Sequence, residues 1–133
     1  MNYVKIGDEV YDVIVTNIER AFKVKQSDNA GGTLAEGGEE TLDPIGTLIY
    51  HIVTFKRRKG KEKQFDQLWD FVSTPHRDGV WVEIVYNQET IKYKAKFPSG
   101  SQALQRIDTN TGKVYWGEFT LSIVPTKAQV LPD

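Results

Sequence analysis

This chain has no cysteine, one methionine, two histidines and five prolines in 133 residues. Without cysteine there is no disulfide framework and no thiolate metal site, which suits folding in a reducing compartment. The two histidines, His51 and His76, lie in different segments with no motif spacing between them. An imidazole-based metal site therefore lacks ligands. Nucleophilic machinery is equally thin, with no G-x-S-x-G elbow and no serine set beside a histidine and an acid. Neither sign of charge is in excess: 17 lysines and arginines face 18 aspartates and glutamates, for a net charge of -1. That balance removes any general pull toward nucleic acid or anionic membrane. No stretch approaches the ~18 apolar residues that span a bilayer, and the opening MNYVKIGDEV lacks the apolar run and cleavage site of a signal peptide. The expectation is a soluble cytoplasmic product with no catalytic centre, no cofactor, no metal and no membrane partner.

What the chain does contain is strand pattern. Hydrophobic residues make up 39% and charged residues 26%, ordinary values for one globular domain of this length. Only Lys61 to Thr74, KEKQFDQLWDFVST, has a helical period. Phe65, Leu68, Trp69 and Val72 fall at i, i+3, i+4 and i+7, with Lys63, Asp66, Gln67 and Asp70 on the other face and Pro75 as the stop. Most other patterned segments alternate with period two. Tyr3–Ile6 and Val10–Val24 read as strands joined by Gly7-Asp8, and Leu48–Phe55 reads as a central strand. Val80, Val82, Ile84 and Tyr86 alternate through the next one. In TIKYKAKF, Ile91, Tyr93, Ala95 and Phe97 point one way while Thr90, Lys92, Lys94 and Lys96 point the other. A short segment follows around Ala103–Ile107. Asp108–Gly112 is a hairpin loop, and the last strand puts Tyr115, Phe119, Leu121 and Ile123 on one face.

The fold class expected is mainly β with one helix (α+β): an antiparallel β-sandwich or partly open barrel flanked by a single amphipathic helix. Residues 1–124 form one domain with a long loop at 25–47, and 125–133 form a loose tail. The expected core is Ile18, Phe22, Phe55, Phe65, Leu68, Trp69, Val72, Val82, Ile84, Tyr93, Phe97, Phe119 and Leu121.

Charge is segregated along the chain. The loop holds Asp28, Glu36, Glu39, Glu40 and Asp43 together with Gly31, Gly32, Gly37 and Gly38. Basic rows follow at Arg57, Arg58 and Lys61 and at Lys92, Lys94 and Lys96. The loop carboxylates lack the D-x-D-x-D order of a calcium loop, and its glycines match neither dinucleotide nor P-loop fingerprints. The basic run is short and its lysines do not interleave with aromatics on one face, so direct nucleic-acid recognition is not expected. Opposite charges on separate surfaces of a neutral protein suit head-to-tail assembly, with the loop as an arm onto a neighbouring subunit. A second candidate surface is Trp81 with Trp116, a sugar-stacking platform if both lie on one sheet face.

The order YDVIVTNIERAFKV, glycine-rich loop ending in DPIGT, IYHIVTF, QFDQLWDFVSTP and two closing hairpins ending in YWGEFTLSIV resembles small tail and baseplate proteins of bacteriophages and prophages. The resemblance covers most of residues 3–124 and includes the N-terminal part of distal tail proteins, whose usual second domain is not found in this chain. It implies the tail-tube fold and assembly into rings, typically hexameric, with the long loop reaching the neighbour. It further implies other tail proteins as partners, and synthesis in the host cytoplasm for a place in the virion tail. A head–tail joining or tail-terminator protein and a carbohydrate-binding module of a receptor-binding apparatus are the alternatives.

Overall fold

The computed structural model describes residues 4–26 and 44–129. Seven strands and one helix follow in the order β1 (Val4–Ile6), β2 (Val13–Gln26), β3 (Pro44–Arg57), α1 (Glu62–Ser73), β4 (Val80–Tyr86), β5 (Glu89–Lys96), β6 (Gly100–Asp108) and β7 (Lys113–Pro125). All pairings are antiparallel, and the sheet runs β1-β4-β5-β7-β3-β2, with β6 added on β7. The mainly β, one-helix architecture expected from the sequence is the one observed, as a curled half-barrel.

The curl is produced at β7. Residues 113–121 of β7 pair with β6, and Val124 and Pro125 pair with Lys96 and Ala95 of β5. Phe97–Ser99 carry the chain from one partner to the next. Gly100 begins β6 where a side chain could not fit, because a Cβ there would lie 2.9 Å from the Phe119 ring. β3 pairs with β7 only over His51–Phe55 but with β2 along nearly its whole length.

Period two decides what is buried. Val53 and Phe55 of β3, Val82 and Ile84 of β4, Tyr93 and Ala95 of β5, and Phe119, Leu121 and Ile123 of β7 all face inward. The helix covers this face with Phe65, Leu68 and Val72, as its stripe predicts. Trp69 is half-buried at the margin, its indole edge-on to Phe119 with centroids 5.0 Å apart. Ile18 and Phe97 also pack against the core from its edge.

Two sequence expectations fail here. Phe22 belongs to no core: it is 73% exposed. It shares a face with buried Ile49, its partner on β3, but among the described residues β2 is the last strand of the sheet and no strand flanks Phe22 on the outer side. Residues 126–129, expected to be loose, are tied down. The Thr126 N–H donates to the Lys94 carbonyl, and the Gln129 N–H donates to the Thr47 carbonyl. The Gln129 side-chain amide accepts from the Ile49 N–H at 2.9 Å and donates to its carbonyl at 2.7 Å, taking the place of a neighbouring strand.

Candidate functional site

Two ribbons leave the half-barrel in opposite directions. β3 and β7 are antiparallel, with Phe55 level with Phe119 and His51 level with Ile123. Past Phe119 toward Lys113, β7 has only β6 beside it. Past His51 toward Pro44, β3 has β2 on one side and the Gln129 segment on the other.

The β6–β7 ribbon has two unlike faces. Its inner face is polar and aromatic. The Tyr115 ring is met by the guanidinium of Arg106 at 4.2 Å, that of Arg57 at 5.0 Å and the ammonium of Lys113 at 5.4 Å. Arg57 donates to the Trp116 carbonyl at 2.8 Å and to the Gln105 side chain, and Lys113 lies 3.7 Å from Glu62 at the start of α1. The Glu62 carboxyl is held below its usual range by the amide N–H groups at the helix start, helped by the Lys113 and Arg57 charges. The outer face is apolar: Leu104 pairs with Trp116 and Ile107 with Val114, each between 38% and 53% exposed. Register shifts on either side of Leu104 put Leu104 and Ile107 on one face despite their odd spacing.

The basic rows expected from sequence are not brought together. Arg57 is the half-buried clamp just described, and Arg58 pairs with Asp12 at 2.7 Å. Lys61 is the residue before α1 and its carbonyl accepts from the Gln64 and Phe65 N–H groups. Lys92, Lys94 and Lys96 stand on the outer face of β5, with Lys92 5.5 Å from the Trp81 ring. The loop candidates Asp28, Gly31, Gly32, Glu36, Gly37, Gly38, Glu39, Glu40 and Asp43 lie outside the described residues. Trp81 and Trp116 both point outward, but Trp81 is level with Lys94 and the Pro125 end of β7. Roughly 30 Å of strand separates them, too far for a shared sugar platform.

Both histidines are structural in their contacts. His76 donates to the Phe71 carbonyl at 2.8 Å and packs on the Phe71 ring. His51 is fully buried: Nδ1 lies 2.9 Å from the Tyr93 hydroxyl, and Nε2 has no partner. Burial holds the imidazole pKa low, aided by the Arg20 charge and opposed by the Val85 carbonyl. Burial also raises the Tyr93 phenol. Among the described residues no three His, Asp or Glu side chains converge as a metal site, and no helix is long and apolar enough to cross a membrane.

A cleft of about 460 Å³ opens where the half-barrel fails to close, between β1 and the start of β2, over Phe55 and Leu68. Its side chains are chiefly apolar, with Asp12 and Arg58 paired at the rim, so it offers no convergent acid–base or nucleophilic set.

Sequence reasoning missed the outer face of the β6–β7 ribbon. A signal was present: Val114 and Trp116 make the second face of that strand apolar as well. No model of a known protein family, no curated protein and no solved structure matches this chain.

Proposed function

We propose that this protein is a non-enzymatic structural component of a bacteriophage or prophage tail or baseplate, assembling into a ring or onto one. The observation that carries the reading is the pair of ribbons leaving opposite ends of the half-barrel with apolar side chains in water. A two-stranded ribbon such as the β6–β7 end is marginal in water by itself, and contiguous exposed apolar faces are often functional surfaces. Charge supports the same geometry. The basic run Lys56–Lys63 begins in the last two residues of β3, beside the β6–β7 ribbon, while residues 27–43, which join β2 to β3 after Lys23 and Lys25, hold five carboxylates and no lysine or arginine. In this reading that acidic segment meets the basic residues of a neighbouring subunit. Such pairs contribute only about 0–1 kcal/mol each and set register and encounter rate. Apolar contacts and free strand edges hold the assembly.

The test is the solution mass, by sedimentation velocity, across protein concentration and salt. Concentration-dependent self-association that weakens with added salt is expected. A monomer at the lowest salt and highest soluble concentration would remove the assembly role.

A further inference from the structure

We propose that residues 126–129 form an autoinhibitory strap: Gln129 occupies the edge of β3 at Thr47 and Ile49, and its release opens that edge to a strand of a second copy. The strap lies where the β3–β7 ladder stops. On its β7 side β3 is paired over residues 51–55 only, so residues 44–50 have no strand there among the described residues. Continuing the register that sets His51 level with Ile123 would bring Pro125 level with Ile49. Proline has no N–H and cannot donate to the Ile49 carbonyl, and Pro125 pairs instead with Ala95 of β5. The ladder therefore ends for a chemical reason, and it leaves an edge as long as an ordinary strand.

Past Pro125 the chain returns to the edge it left. Thr126 is fixed on β5: its N–H donates to the Lys94 carbonyl at 2.9 Å and its hydroxyl to the same oxygen at 3.3 Å. Three residues on, the Gln129 N–H donates to the Thr47 carbonyl at 3.0 Å. The Gln129 carboxamide accepts from the Ile49 N–H and donates to the Ile49 carbonyl. A primary amide carries the donor and acceptor of a peptide group, so this side chain fills both positions that an added antiparallel strand would take. Ile49 is only 5% exposed, so with Gln129 withdrawn its N–H and C=O need a new partner. In a solution of the protein alone the strand available is that of a second copy, and an uncovered edge is a ready template for such pairing. The strap competes with that addition, whether or not the protein also builds a ring. Its hold is local: among the described residues Lys127 and Ala128 make no hydrogen bond, so the strap is tied at its two ends.

Gln129→Ala removes both side-chain bonds to Ile49 and touches no core residue. Residue-resolved amide exchange in the dilute variant is expected to be at least tenfold faster at the Ile49 N–H, with the amides of residues 51–55 unchanged. Across a concentration series, sedimentation velocity is expected to show the variant self-associating at least tenfold more tightly than wild type. The Ile49 N–H should regain its protection as the concentration rises. Exchange at Ile49 as slow as in wild type would overturn the strap. Faster exchange with association no tighter than in wild type would show that the edge is not adhesive and would overturn the autoinhibition. Tighter association that leaves Ile49 unprotected would place the contact elsewhere and overturn it equally. A wild type that stays monomeric throughout would remove the assembly reading, whereas the strap is judged by the difference between variant and wild type.

Discussion

Acidification from pH 7.5 to 5.5 should destabilise this fold through His51, a residue with no place in the assembly surfaces. Its ring is fully buried with Nδ1 engaged with Tyr93; burial outweighs the Val85 carbonyl, which favours the charged ring, and Arg20 on the neighbouring strand opposes a second positive charge. The Arg20 guanidinium is itself held 5.2 Å from the Tyr86 ring and 2.7 Å from the Asn87 side chain. The folded chain therefore keeps the imidazole neutral at pH values where the unfolded chain, with an ordinary pKa of about 6.5, takes a proton. Because the unfolded state binds more protons, the stabilising contribution is complete above about pH 6.5 and is lost as pH falls through that value toward the lowered folded one. The limiting slope for one proton is about 1.4 kcal/mol per pH unit, so the loss between pH 7.5 and 5.5 reaches at most about 1.4 kcal/mol. For a domain of this size that lowers Tm by about 3–5 °C. Asp66, whose carboxyl is raised by burial and by the Asp70 and Glu62 charges, has the opposite sign: it favours the folded state on acidification. A comparison with a variant that keeps Asp66 cancels its contribution. Replacing both polar partners, His51→Leu with Tyr93→Phe, removes the ring together with the hydroxyl it engages, at the cost of the Tyr93 hydrogen bond to the Ile123 carbonyl, a loss that is the same at every pH. Urea unfolding of the two proteins at pH 7.5, 6.5 and 5.5 should show the wild type losing stability relative to the variant. Parallel profiles would refute the argument by showing that His51 is protonated equally in both states.

Trp69→Ala should cost about 2–3 kcal/mol in urea unfolding, below the usual range for a fully buried tryptophan, because the indole is half-exposed and loses chiefly its edge contact with Phe119. A midpoint unchanged within error would mean that the helix does not bear on the sheet there. Gly79→Ala should cost about 1–3 kcal/mol from backbone strain alone, since Gly79 has φ +79° and a Cβ would fall 2.9 Å from the Ala95 carbonyl oxygen. Thermal melts within about 1 °C of wild type would refute that placement of the turn before β4.

The helix and most strands were legible because each signal is local. The stripe Phe65, Leu68, Trp69 and Val72 repeats at the helical period, and Tyr93, Ala95 and Phe97 alternate at the strand period, so each segment states its own buried face whatever it packs on. The turn glycine Gly112, with φ +76°, is legible for the same reason. The assembly surfaces were only partly legible. The basic rows could be seen as charge, but not that Arg57 is stacked on Tyr115 and Arg58 paired with Asp12 within the chain.

What the sequence by itself determined is the periodicity of its elements, and hence a β-rich domain with one amphipathic helix. Only the tertiary structure decided which apolar residues lie inside. Phe22 and Phe55 both fit the inward pattern of their strands, yet one is 73% exposed and the other 2%. The difference is sheet order: β3 is flanked on both sides and covered by α1, whereas β2 is the terminal strand. Likewise, the register shifts beside Leu104 aligned it with Trp116, and Ile107 with Val114, on one outer face. Period two within a single strand cannot reveal that face, because a bulge changes which side every later residue takes.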